Sequence, residues 1–227
     1  YEETNEEFNI FENILNELCS KNYSSRVIGT KENIEATNYI KEYFINLGLE
    51  PLKDNNYFNS INTNVGAFKK NLSIENLNNV SSVIKGKDSS KAIFVTAHFD
   101  HLPGLTGAID NASGTSVMLD VARIIKEKTQ EYPLDVDVVF IAFNAEEEGL
   151  IGSLDFLSKY STTYDEYYNI NIDCVGYNKC LDLAMGNKNT LSEKLYESFL
   201  NKLDSTDKAT LNKLKEVYIQ NANIVGI

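Results

Sequence analysis

The sequence predicts an α/β fold in three layers: a mixed, mostly parallel, twisted sheet with helices on both faces. Three observations point there. The runs "KAIFVTA" (91–97) and "DVDVVFIAF" (135–143) are short and almost continuously apolar, as strands are when both faces are covered. Between them lies "GTSVMLDVARIIKEK" (114–128), with apolar side chains at helical spacing. A further helical segment and a third strand-like run, "YNINID" (168–173), continue the alternation that builds a parallel sheet.

The elements follow in order. Phe8, Phe11, Ile14, Leu15 and Leu18 lie on one face of an opening helix. "SSRVIGTKEN" reads as a polar loop. "IEATNYIKEYFINLGLEP" is a second helix through Ile34, Tyr39, Ile40, Phe44 and Leu47, with Gly48 placed to cap it and Pro51 soon after. The Asn-rich stretch from Asp54 to Asn79 reads as loops with one or two strands. "NNVSSVIKG" is a strand that turns at "GKDSS", and "HFDHLPGLTGAIDNASG" is a loop. In the helix at 114–128, Val117, Val121, Ile124 and Ile125 are expected to face inward, with Lys126 and Lys128 at the negative end of the helix dipole. "GSLDFLSKY" is a helix, "LDLAMG" a fourth strand, and "TLSEKLYESFLNKL" a helix capped by Thr190 or Ser192. "EVYIQNANIVGI" closes the chain. With no repeat and no linker, one domain over 1–227 is the economical reading.

The totals exclude some functions. The chain has 227 residues, 42% hydrophobic and 24% charged, which suits a globular protein with a substantial core. No run approaches the roughly 20 apolar residues of a membrane span. A net charge of −12 argues against a nucleic-acid partner, since phosphates are met by Lys and Arg. Cys19, Cys174 and Cys180 form no C-x-x-C pair and no disulfide framework, and are expected to be free.

In an open α/β sheet, functional groups collect past the carboxyl ends of the strands. "KAIFVTA" ends in His98 and Asp100, "DVVFIAF" runs into Glu146 and Glu147, "YNINID" ends in Asp173, and the loop after His98 adds Asp110. Each has an ordinary reading alone: a satisfied histidine, a solvated acidic turn, a strand-end turn, a helix cap. Together, one imidazole and several carboxylates share a dry site only if something positive joins them. A divalent cation does so. The mixed donors suit zinc, with manganese or cobalt as alternatives, and the number of carboxylates allows two ions sharing one of them. Asp100, two residues from His98, is placed to accept the second ring N–H.

The motifs "TAHFDHLPG", "GAIDNASG", "FNAEEEGLIGSLDF" and "NIDCVG", in that order, resemble the two-zinc aminopeptidase family, which extends to glutamate carboxypeptidases and glutaminyl cyclases. "RVIGTKENIEATNYIKEYFINLGLEP" is similar to the family's leading segment. The resemblance implies a zinc-exopeptidase-like fold and a peptide substrate. It implies His98 and Asp173 on one metal, Asp110 as the bridging carboxylate, Glu147 on the second metal, and Glu146 as general base on a water. It also implies a cis peptide at Asp110–Asn111, and a secreted or cell-surface location by family habit. Glu148 takes the family's variable place. A carboxypeptidase, a glutaminyl cyclase-type enzyme or a non-catalytic metal- or peptide-binding relative are the alternatives on the same scaffold. Preferred residue and oligomeric state are left open.

One family ligand, a His downstream of Asp173, has no counterpart, because only His98 and His101 occur. The sequence therefore reads as C-terminally incomplete, lacking a closing strand and helix. It is expected to hold one ion or none well, and to be weakly active or inactive by itself.

Overall fold

The computed structural model describes residues 5–23, 25–62 and 74–176. By compactness the chain divides after Gly176, and every described residue belongs to the unit Tyr1–Gly176. The expected strand at "LDLAMG", the helix at "TLSEKLYESFLNKL", the closing segment and Cys180 lie outside the described residues.

Two helices come first, α1 (Asn5–Leu18) and α2 (Lys31–Asn46). Thr30 caps α2, its hydroxyl accepting from Asn33 N. Gly48, at φ +66°, ends it in the left-handed conformation, with Leu49 N donating to Phe44 O at 3.1 Å. The short strands β1 (Glu50–Pro51) and β2 (Phe58–Ser60) precede β3 (Asn78–Ile84) and β4 (Asp88–His98). An irregular helical turn, Ala108–Ser113, leads into α3 (Gly114–Lys128). Strand β5 (Val136–Phe143), helix α4 (Ile151–Tyr160) and strand β6 (Glu166–Asn171) complete the described part.

The sheet runs β1-β3-β5-β4-β6, with β2 also on β3. Strand β4 is parallel to both β5 and β6, and these are the longer ladders; β3 joins antiparallel to β5, β1 and β2. The sheet is mixed, and its parallel half carries the strand ends singled out above. Ile14 and Leu18 of α1, Ile40 and Phe44 of α2, and Met118, Leu119 and Ala122 of α3 pack with Val80, Val95, Val138 and Phe140. Phe156 of α4 packs with Val83, Phe94, Val139 and Ile141 on the opposite face. Helices thus cover both faces, and the alternate residues of β4 and β5 serve two cores. Among the described residues no helix is long and apolar enough to cross a membrane.

The expected inward face of α3 is corrected. Thr115, Ser116, Met118, Leu119 and Ala122 are buried, while Val117, Val121, Ile124 and Ile125 are only partly covered. One polar contact ties that face to the sheet, Thr115 donating to His98 O at 2.8 Å, while Ser116 donates to Ala112 O at 2.7 Å one turn back along the same segment. Apolar spacing does not register buried hydroxyls that bond to main chain. In α2 the correction is similar: Asn33, Ala36 and Thr37 are buried beside Ile40 and Phe44, while Ile34, Tyr39 and Leu47 flank them. β6 ends at Asn171, so Asp173 sits in the loop just beyond the strand.

Candidate metal centre

His98 is the last residue of β4, paired in register with Phe143 of β5. Its ring is buried, and its Nδ1 lies 3.2 Å from the main-chain carbonyl of Asp100. With the proton on Nδ1 and donated there, the Nε2 lone pair is free for a ligand. Nε2 lies 3.1 Å from Asp110 Oδ1 and 3.4 Å from Asp173 Oδ1. Asp110 reaches this position from the irregular turn, where its φ of −112° and ψ of 96° are not helical and the Asp110–Asn111 peptide is cis. Asn111 is locked beneath it, with Oδ1 accepting from Gly114 N and Cys174 N and Nδ2 donating to Ile172 O. One side chain therefore fixes the turn that carries Asp110 against the loop that carries Asp173.

His98, Asp110 and Asp173 each offer a ligating atom, and these lie within 4.8 Å of one another. Asp110 and Asp173 are half exposed, so the cluster opens toward solvent on one side. Two carboxylate oxygens facing one imidazole nitrogen repel each other and its lone pair, and a cation among them removes that repulsion. Burial opposes a charged His98 ring, but Asp100 and Asp173 outweigh it and raise its pKa to about 10. The hydrogen bond from His98 in turn holds Asp173 below the usual carboxylate range. Imidazole with carboxylates is a donor set that fits zinc.

Glu146 and Glu147 follow β5, and neither belongs to that three-residue group. Their main chain is tied instead. Glu146 N donates to Asp100 Oδ1 at 3.1 Å and Glu147 N to Asp100 Oδ2 at 3.2 Å. Asp100 Oδ1 is 3.6 Å from His98 Nδ1, beyond hydrogen-bond length, so the carboxylate acts on the ring through charge. Burial raises the Glu146 pKa, aided by Asp100, Asp173 and Asp110 against the pull of His98. Burial, then the charges of Asp110, Glu146 and Asp100, raise Glu147 to about 7. Both carboxyl groups therefore feel the charge of the same acidic cluster. Glu148, in the family's variable place, is partly buried.

Several supporting residues carry no pattern signal. Asn144 and Asn33 exchange side-chain hydrogen bonds of 3.0 and 2.9 Å. Asn79 Oδ1 accepts from Asn144 N. All three are buried, and they hold the β5 end where Ala145, at φ +56°, turns the chain into Glu146. His101 has both ring nitrogens engaged: Nε2 accepts from Arg26 N at 3.1 Å and Nδ1 donates to Leu102 O at 2.8 Å. It is no ligand, as its place in the chain suggests. The one available signal for this shell was the leading segment beginning at Arg26.

A three-layer α/β sheet that gathers one imidazole and two carboxylates past its parallel strands is of the class that binds ligands at the carboxyl ends of an open sheet, here with a donor set that fits a metal ion. More narrowly, the chain belongs to peptidase family M28, whose family model matches residues 79–223. It is 42% identical over 111 residues to aminopeptidase YwaD of Bacillus subtilis, a match covering 47% of this chain and 23% of that protein. Among solved structures, LapB from Legionella pneumophila superposes with a TM-score of 0.58 at 28% identity, over 76% of this chain and 47% of that one. A Bacteroides thetaiotaomicron glutaminyl cyclase shares the fold at a TM-score of 0.59 and 20% identity, over 86% of this chain and 68% of that one. The match thus spans less than a quarter of the curated relative's length.

Proposed function

We propose that this chain carries the metal-holding part of a zinc-dependent exopeptidase that removes N-terminal residues from peptides. The observation that supports it is the convergence of Asp110 and Asp173 on His98 Nε2 at 3.1 and 3.4 Å. In this reading those three residues would hold one ion, and Glu147 together with Asp110 would supply donors to a second. When bound, zinc supplies Lewis-acid polarisation of a carbonyl and makes water more acidic.

The other steps belong to the protein. Glu146 takes the proton of the attacking water and returns it to the departing amine, so that one carboxylate serves as base and then acid. Its raised proton affinity suits this exchange. Asp100 sets where Glu146 begins, by accepting the main-chain N–H of Glu146 and of Glu147. It also keeps the His98 ring polarised through its charge. The aminopeptidase named among the relatives, rather than the cyclase, guides the choice of reaction, since the cyclase likeness is one of fold.

The test is hydrolysis of aminoacyl anilides by the full-length protein. Glu146→Gln is expected to reduce kcat by about 10²–10⁴, with zinc content unchanged. Hydrolysis that survives the substitution would remove Glu146 from the chemistry. Zinc retained with no turnover in the unaltered full-length protein would favour a binding role.

A further inference from the structure

Arg26 is fully buried, and its guanidinium bonds to main-chain carbonyls. Nε donates to Phe99 O at 2.8 Å and Nη2 to Gly107 O at 2.7 Å; Nη1 donates to Leu18 O and Tyr23 O. Phe99 is the residue after His98, and Gly107 stands three before Asp110. The same planar group therefore bridges the two loops that bring the imidazole and the carboxylate together. Arg26's own backbone extends the bridge. Its N–H donates to His101 Nε2, and its carbonyl accepts from Asn33 Nδ2 at 2.8 Å. Asn33 in turn pairs with Asn144, two residues before Glu146.

The arrangement is tight. A Cβ at Gly107 would lie 2.7 Å from Arg26 Nη2 and 2.6 Å from His101 Cγ, and Gly107 sits at φ +59°. A buried cation is costly unless its donors are met in full. Here four bonds to main-chain carbonyls offset that cost, and two of those carbonyls, Phe99 O and Gly107 O, belong to the loops that carry His98 and Asp110, with the Asp100 charge acting on the guanidinium through space.

We infer that Arg26 is a positioning residue for the metal centre: its guanidinium, bound to Phe99 O and Gly107 O, sets the spacing between His98 and Asp110 and thereby the affinity and geometry of the ion. The inference rests on the metal-binding reading above. Lysine cannot replace it, because a single ammonium has no fixed fork to span two carbonyls on different loops.

The experiment measures zinc Kd by chelator competition, and the visible spectrum of the cobalt-substituted protein at saturation. Arg26→Lys is expected to raise the zinc Kd at least tenfold and to shift the cobalt bands. Phe156→Leu, in the core on the other face of the sheet, is the control. It should lower the urea midpoint and change neither readout. Gly107→Ala is a second arm with Arg26 intact, and it should raise the zinc Kd in the same direction, so the result does not depend on Arg26→Lys folding well. A wild-type Kd and cobalt spectrum in Arg26→Lys, or in Gly107→Ala should the first not fold, overturn the inference. If zinc binding is present and abolished by His98→Ala, that failure touches Arg26 alone. If the unaltered protein binds no zinc, the metal reading fails as well.

Discussion

At the scale of single residues, Asp100 shows how one side chain joins two strand ends. It is buried after β4, yet its two oxygens are taken up by N–H groups after β5. An amide in its place has the same shape but offers one accepting oxygen where two are used. Asp100→Asn is therefore expected to leave one partly buried main-chain donor unpaired and to cost the metal-free protein about 1–2 kcal/mol in urea unfolding. A loss below about 0.5 kcal/mol, the range of an ordinary surface change, would show that the loop is held without it. His98 and Asp110 were legible in the sequence because their motifs are distinctive. Asp100 was legible as a neighbour of His98 but not as the anchor of Glu146 and Glu147. That contact depends on the parallel register of β4 with β5, which puts His98 opposite Phe143 and no linear pattern records.

At the scale of elements, the strands were readable because β4 and β5 are covered on both faces and so contain little but apolar residues along their inner length. The bounds of α3 were readable for a related reason, with Gly114 at its start and Lys126 and Lys128 in its last turn. What was hidden is polar and buried: Arg26, Asn33, Asn79, Asn144 and the hydroxyls of Thr115 and Ser116. A polar loop and a buried polar hub have the same composition, and only three-dimensional satisfaction of their hydrogen bonds tells them apart. Asp137 is a case far from the metal loops, near the start of β5. Its carboxylate is fully buried and accepts from Lys85 Nζ, Gly86 N, Ser89 Oγ and Tyr164 Oη, joining the β3–β4 turn to the segment after α4. Burial works to raise its pKa, but the donors from Gly86, Lys85, Ser89 and Tyr164 prevail and lower it below 3.8. A carboxyl whose folded pKa is depressed stabilises the fold above its unfolded value, and that contribution is lost as pH falls through the folded value. Unfolding free energy should therefore decline as pH drops below about 4. Asp137→Asn should flatten that acid limb and cost about 1–3 kcal/mol at neutral pH. An unchanged acid limb in the variant would assign the decline to other groups.

At the scale of the whole molecule, the sheet separates two tasks. The amino ends of β4 and β5 are fastened by the Asp137 network, and their carboxyl ends present the acidic cluster. The cluster concentrates negative charge in a chain already at −12, and a cation offsets both the local and the global repulsion. Imidazole donors favour zinc, so the count of histidines bears on how tightly a second ion would be held. This chain has two histidines: His98 faces Asp110 and Asp173, and His101 is held by Arg26 and Leu102. A second ion beside Glu147 would draw no imidazole from this chain. The 227-residue chain is therefore expected to bind one zinc ion tightly, seen as a single high-affinity step in calorimetry. Binding to the folded state alone stabilises it by about 2.7 kcal/mol when free zinc is 100 times Kd. For a chain of this size that is a rise in Tm of roughly 5–11 °C, reversed by a chelator. His98→Ala should abolish the step and the rise together. Two ions held with equal affinity would show that Glu147 and Asp110 recruit donors other than imidazole, and an unmoved Tm would show that the cluster does not hold zinc in the folded chain.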